Sequence, residues 1–232
     1  MTRCASEELY PAEGLAWSAP DPVPVPIETP RLVLRPYDPA DAEALHRVVD
    51  GCRGSLLPWL PWAKEDHRDP DRSLQFIMNN RIHLRDPATL GHVVLGVFDR
   101  ASGELLGGHG VHDIRRDTAS CETGYWLAPH ARGKGLITEA TAHVLSWCLR
   151  PRAERGLGLE RVRIYCSSAN AASSRVPERL GLTPEVRQRQ DYYVQGVGLT
   201  DRLGWGVLAD EWDGAAHAMR AQTGAPRGAP DR

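Results

Sequence analysis

The sequence predicts an α/β chain, a twisted mixed sheet with helices on both faces, on three observations. An apolar, aromatic strand ending at Leu127 runs through a Pro-punctuated turn into Gly133-x-Gly135, and a helix begins at the second glycine. A β-branched strand, Arg161 to Ser167, gives way to a short helix that closes on Leu180-Gly181-Leu182. Between residues 92 and 127, strand-like runs are separated only by Gly103 and by Arg116-Asp117-Thr118-Ala119, which is hairpin punctuation.

The elements follow in order. Pro20-Asp21-Pro22-Val23-Pro24-Val25-Pro26 can neither continue a helix nor join a central strand, so it reads as an extended lead-in. A strand over 31–35 precedes a helix over 39–50, a Trp/Pro loop and a helix over 70–84. Strands over 92–99, 105–114 and 121–127 come next, then a helix over 136–149, a strand over 161–167, a helix over 171–180 and two terminal strands. Leu136, Ala140, Val144 and Trp147 lie on one stripe, which turns that helix inward, while Arg150 suits its C-terminus. Residues 1–26 are expected to be a Pro-rich extension, 27–212 one domain, and 213–232 a tail dominated towards its end by Gly, Pro, Ala and polar residues.

A chain of 232 residues, 41% of them hydrophobic, fills one domain and not clearly two. Its net charge of −2, with both signs interspersed, supplies no basic field for nucleic acid or anionic lipid. No apolar run has transmembrane length, and the first eight residues lack the apolar centre of a signal peptide, so a cytoplasmic location is expected. Cys4, Cys52, Cys121, Cys148 and Cys166 form no Cys-x-x-Cys and leave one thiol over in any full pairing, which reads as reduced, mostly core thiols.

The Gly133-x-Gly135 turn is the most chemical feature. Its glycines permit positive φ and close approach, the first-turn amides of the following helix lack acceptors, and the helix dipole with Arg132 and Lys134 favours negative charge. That is a seat for a pyrophosphate. The residues that define a P-loop, or a dinucleotide Gly-x-Gly-x-x-Gly with its acidic partner, are not in the sequence.

The strand Gly124-Tyr125-Trp126 leading into this loop resembles the coenzyme A loop of the GNAT N-acetyltransferases. The downstream strand, the Asn170-x-x-Ser173 helix and the Leu-Gly-Leu exit resemble that family's next motif at its usual spacing. Thr29-Pro30-Arg31-Leu32-Val33-Leu34-Arg35, the Leu-Pro-Trp-Leu-Pro-Trp run at 57–62, and Asp201 to Leu208 with Glu211-Trp212 are similar to the RimJ/RimL branch. The likeness spans Ile27 to about Trp212. It implies the GNAT fold and acetyl-CoA as acetyl donor, held by the strand backbone of Trp126, Leu127 and Ala128 and by Arg132, Gly133, Lys134, Gly135, Leu136 and Ile137. His130 departs from the Gln or Arg that the family prefers there.

The resemblance also assigns roles. Asn170 matches a coenzyme contact, and Ser173 the proton donor to the departing thiolate; by themselves the two residues also read as a helix cap and its neighbour. RimL-like chains place a carboxylate where this chain has Tyr192, with Asp191 one residue earlier. One residue on a strand reverses the face, so Asp191 substitutes only through a bulge or a gap. Glu122, on the strand entering the loop, is the other carboxylate at a position the family uses. Trp59 and Trp62 resemble the acceptor-side wall.

His109 and His112, at i and i+3 on a strand, face opposite sides and have no third ligand at useful spacing, so no metal is expected. Deprotonating a Lys amine at neutral pH costs roughly 4.6 kcal/mol and an α-amine roughly 1, which favours a protein N-terminus attacked directly in a ternary complex. A small-molecule amine and a coenzyme-sensing module without catalysis are the competing readings. A homodimer is left open by the sequence.

Overall fold

The computed structural model describes residues 17–86 and 89–214; Cys4 and the tail from Ala215 lie outside them. Twelve elements order the chain: β1 (Ile27–Glu28), β2 (Leu32–Arg35), α1 (Ala42–Leu56), α2 (Pro70–Leu84), β3 (Val93–Asp99), β4 (Leu105–Arg115), β5 (Ser120–Leu127), α3 (Leu136–Leu149), β6 (Arg161–Ser167), α4 (Ala171–Leu180), β7 (Thr183–Val194) and β8 (Gly198–Leu208). The sheet runs β1-β2-β3-β4-β5-β6-β8-β7. Its β5–β6 junction is parallel and the others antiparallel, which makes it mixed as expected.

Local chemistry accounts for the boundaries. Asp69 caps α2, its carboxylate accepting from the Arg72 N–H at 2.8 Å, and Pro70 occupies the first helical position, where its missing N–H costs nothing. The first helix begins at Ala42 rather than at 39 because Pro39–Asp41 forms a 3-10 turn capped by Asp38, and it continues to Leu56, beyond residue 50. Its apolar residues Leu45, Val49, Cys52 and Leu56 keep helical spacing and are all buried, which carries the helix past Gly51 and Gly54. The ends of α3 and α4 fall at Leu149 and Leu180; Gly181, at φ 73°, closes α4 in the left-handed conformation.

Alternation along the strands builds two cores, one on each face. Val93, Leu95 and Val97 of β3 and Val162, Ile164 and Cys166 of β6 pack with the small, apolar face of α3 and with α4. Phe98 of β3, with Val94 and Trp126 beside it, packs under α1 and α2. Full burial of a Leu or Val side chain stabilises by about 1.5–3 kcal/mol. The segment 17–26 contains neither helix nor strand, yet Trp17, Ala19 and Val23 are buried in the α3 core. Trp17 Nε1 donates to the Leu157 carbonyl at 2.8 Å, and Trp147 of α3 donates to the Pro24 carbonyl at 2.8 Å.

Cys52, Cys121, Cys148 and Cys166 are buried free thiols. Among the described residues no helix is long and apolar enough to cross a membrane.

Candidate active site

Strands β5 and β6 pair over Ser120–Glu122 and Arg161–Arg163 and then separate. On its other side β5 keeps its partner β4 as far as Leu127. The edge of β5 from Thr123 onward therefore faces open space where a sheet neighbour would lie. A cleft of about 390 Å³ occupies that gap, lined by β5, the start of α3, β6 and α4, with Trp59, Leu60 and Tyr192 also on its wall.

At the α3 side, the loop has Gly133 at φ 74° and Gly135 at φ 75°. Either Cβ-bearing alternative would be strained there, and Gly135 serves as the N-cap with no side chain to offer. The backbone N–H groups of Gly135, Leu136, Ile137 and Thr138 donate to no group among the described residues; the first helical bond is Glu139 N–H to the Gly135 carbonyl at 3.1 Å. Four unpaired amides and the positive end of a 14-residue helix make an anion seat beside the cleft.

The predicted cofactor residues divide by what they do. Trp126, Leu127, Arg132, Gly133, Gly135, Leu136, Ile137, Asn170 and Ser173 line the cleft. Ala128 is buried outside it, its N–H committed to the Leu106 carbonyl at 2.8 Å. The Lys134 side chain is not in the cleft wall; it borders a separate depression with Asp99, where its charge lowers the Asp99 pKa after the Ser102 hydrogen bonds have done so. Arg132 is tied down by Nε to the Leu127 carbonyl at 2.8 Å and by Nη2 to Ser55 Oγ at 3.0 Å, so it braces the loop against α1.

At the opposite wall, Asn170 Oδ1 accepts from the Ser173 N–H at 3.1 Å, which makes Asn170 the cap of α4 as well as a cleft residue. Tyr125 donates its hydroxyl to the Ser173 carbonyl at 3.1 Å. Burial pushes the Cys166 thiol up to about 11 against a hydrogen bond with the Ser173 side chain. Ser173 thus stands in the cleft with its backbone fixed from two sides, and Cys166 lines the same cleft.

The predicted carboxylates separate. Glu122, one residue before the cleft-lining Thr123, is half-buried and does not itself line the cleft. Burial raises its pKa, and Arg163 and Arg202 draw it part of the way back. Its carboxylate has no hydrogen-bond partner among the described residues. The pairing of β7 with β8 is irregular between Gln188 and Tyr192, with Gln190 at φ 56°, so the bulge that Asp191 would need is present. It does not turn Asp191 into the cleft: the carboxylate meets Arg202 Nε at 2.9 Å. Tyr192 takes the cleft position and donates its hydroxyl to the Trp59 carbonyl at 3.0 Å, joining the terminal hairpin to the loop after α1.

The two loop tryptophans also part company. Trp59 lines the cleft. Trp62, expected beside it on the acceptor wall, packs edge-on against Trp126 and His67 in the α1/α2 core. The 3-10 turn Pro61–Lys64 turns its ring towards the sheet, where it gains apolar contact.

His109 is buried between Thr141 and Thr123, at 3.2 and 3.4 Å, and burial lowers its pKa to about 3, which keeps it a neutral core residue. His112 lies on the opposite face beside His92. No group of three or more metal-type ligands occurs among the described residues.

Sequence reasoning missed Tyr125, Ser55, Arg175 and Arg179. The last two line the cleft from α4, one helical turn apart, and no ion pair engages either among the described residues. Their i, i+4 spacing was the available signal. Nothing local marks the hydroxyl of Tyr125 or of Ser55, whose partners are 48 and 77 residues away.

An eight-stranded mixed sheet, opened at one parallel junction beside a glycine-initiated helix, defines the acetyltransferase class of fold. The family model for the GNAT acetyltransferase domain matches residues 31–183, and the chain belongs to that family of N-acetyltransferases. A protein of Bacillus subtilis (strain 168), provisionally named ribosomal N-acetyltransferase YdaF, is 30% identical over 183 residues, covering 79% of this chain and 94% of its own. Two solved structures share the fold at 22% identity and a TM-score of 0.70. One is RimL, a ribosomal α-N-protein acetyltransferase in complex with coenzyme A, matched over 81% of this chain and all of its own. The other is Mycobacterium smegmatis RimJ in complex with coenzyme A disulfide, matched over 82% and 88%.

Proposed function

We propose that this chain transfers the acetyl group of acetyl-CoA to a primary amine, and that the amine is the N-terminal α-amine of a protein. The observation that carries the reading is the run of four unpaired N–H groups, Gly135 to Thr138, next to the unpaired edge of β5 in a cleft. A pyrophosphate satisfies the amides, and an extended amide-containing arm can add to the strand edge. Arg175 and Arg179 supply further positive charge on the α4 wall. The homologue names fit a protein acceptor.

Acetyl-CoA supplies an activated thioester carbonyl when bound. The residues around it divide the proton traffic. Glu122 is the carboxylate left to accept, through water, the proton that the amine must lose: it is half-buried, lacks a hydrogen-bond partner among the described residues and acts electrostatically on Tyr192 of the cleft wall, although it does not line the cleft itself. Asp191 is spent on Arg202 and Tyr192 on the Trp59 carbonyl. Ser173 is the donor to the departing thiolate, with the neutral Cys166 thiol beside it as no competing base. An α-amine needs only about 1 kcal/mol to be deprotonated at pH 7, within reach of one half-buried carboxylate.

The test is a competition. A peptide with a free N-terminus and an internal Lys, and its N-terminally blocked twin, are offered with acetyl-CoA and read by mass spectrometry. The expected product is acetylated at the α-amine, with the rate rising towards about pH 8 as that amine loses its proton. Preferential Lys modification overturns the α-amine acceptor, and failure of both peptides points to a small-molecule amine.

A further inference from the structure

The first turn of α3 holds a carboxylate that the transfer chemistry does not use. The Glu139 side chain is 1% exposed. One of its oxygens accepts from the Thr29 hydroxyl at 2.6 Å and from the Arg31 backbone N–H at 2.9 Å, and the other from Arg31 Nε at 2.6 Å. The same guanidinium donates through Nη1 to the Lys134 carbonyl at 2.9 Å. Residues 29–31, in the turn between β1 and β2, therefore hold both the first helical turn and the loop before it. Burial raises the Glu139 pKa, and the bonds from Thr29 and Arg31 outweigh it, so the group stays ionised.

The bond to Lys134 has a geometric consequence. Carbonyl and N–H of one trans peptide point in opposite directions. With the Lys134 oxygen held towards Arg31, the Gly135 N–H of the same unit points away from Arg31. Gly135 lines the cleft, whereas Arg31 and the Lys134 side chain border the separate depression of about 530 Å³. This unit turns about the Lys134 ψ and the Gly135 φ, and Gly135, at φ 75°, has no side chain to hold the turn on its side. The guanidinium is the group that selects one orientation. It also neutralises a carboxylate that would otherwise repel an anion at the helix start.

We propose that Arg31 is a positioning residue for the coenzyme: anchored by Glu139 and Thr29, it grips the Lys134 carbonyl and turns the Gly135 N–H into the cleft. The inference rests on the reading of this loop as the coenzyme's phosphate seat. Lysine keeps the charge but has one ammonium and cannot span both partners in the planar, forked manner of arginine.

Acetyl-CoA affinity by calorimetry, steady-state kinetics, and hydrogen exchange of the unliganded protein are measured for wild type, Arg31→Gln and Arg31→Lys. Both variants are expected to bind acetyl-CoA about tenfold or more weakly, the effect of one lost charge-assisted bond. The acceptor KM, and kcat at saturating acetyl-CoA, stay within about twofold. Exchange at Glu139, the first hydrogen-bonded amide of α3, quickens while β3 and β4 hold. Unchanged affinity in folded variants, full rescue by lysine, or exchange that rises equally throughout β3 and β4 would each overturn the proposal. If wild type itself fails to bind acetyl-CoA, the phosphate-seat reading falls, and exchange at the Glu139 amide, bonded to the Gly135 carbonyl, still decides whether Arg31 sets the loop.

Discussion

The two ends of the cleft are built from different materials. At the α3 end the cleft presents backbone: among the described residues, four unpaired amides, two left-handed glycines and a strand edge without a neighbour. At the Trp59 end they are side chains from distant parts of the chain, with Tyr192 reaching the Trp59 carbonyl across 133 residues of sequence. A backbone site recognises what all its ligands share, whereas a side-chain site can change its preference by substitution. The difference teaches that one end of the cleft is set by local backbone conformation and the other by contacts between distant parts of the chain.

The sharpest way to break that contrast is to put a side chain where only backbone belongs. Gly135→Asp places a carboxylate at the anion seat, and like charges so juxtaposed cost several kcal/mol, so activity should fall by about 10³-fold or more. The rise in Tm with acetyl-CoA should vanish. A folded Gly135→Asp protein that still shows the full ligand-induced shift would deny the loop its phosphate.

Ser173→Ala tests the junction of the two ends. Loss of a proton donor used in the transition state lowers kcat by about 10²-fold, with acetyl-CoA affinity, measured by calorimetry, within a few-fold. Equal rates would leave Ser173 as a helix-start residue.

Glu122→Gln should cost less, about tenfold at neutral pH, because an α-amine is already partly deprotonated there. Its diagnostic is the pH profile. The raised Glu122 pKa means that the carboxylate becomes a competent base only above the ordinary carboxylate range, so wild-type rate rises through that region before the amine's own limb. In Glu122→Gln the lower limb should disappear and the amine limb near 7.8 remain. A profile identical to wild type would remove Glu122 as base.

The smallest effects sharpen the comparison within one loop. Trp59→Ala should raise the peptide KM by about fivefold and leave that of acetyl-CoA unchanged. Trp62→Ala should instead lower stability by about 3 kcal/mol, the low end for a part-buried ring, read by denaturant titration, with both KM values intact. Exchange of those two outcomes would reverse the assignment of the rings.

The same division explains what the sequence made legible. Element types and several exact boundaries, such as Leu136–Leu149 and Ala171–Leu180, were readable because local chemistry sets them: a positive-φ glycine before one helix, Asn170 before the other and Gly181 after it. The glycine turn with its left-handed pair was readable for the same reason. The packing of Trp62 was not legible because its partner, Trp126, lies 64 positions away and no local pattern states the pairing. Asp191 was hard to place because a register irregularity has no unique sequence sign. Burial of Trp17, ten residues ahead of Ile27, depended on the Leu157 carbonyl, which the Pro-rich composition around it conceals.

The brevity of the β5–β6 pairing has a mechanical meaning. Three residue pairs, Ser120 to Glu122 against Arg161 to Arg163, are all the ladder that joins the five-strand half of the sheet to the three-strand half. Under load applied across the strands, this short seam is the line along which the sheet should part first, with α3 spanning it as a splint. A guest seated in the gap and bonded to both walls would act as a missing stitch, and the molecule should be tougher when loaded than when empty.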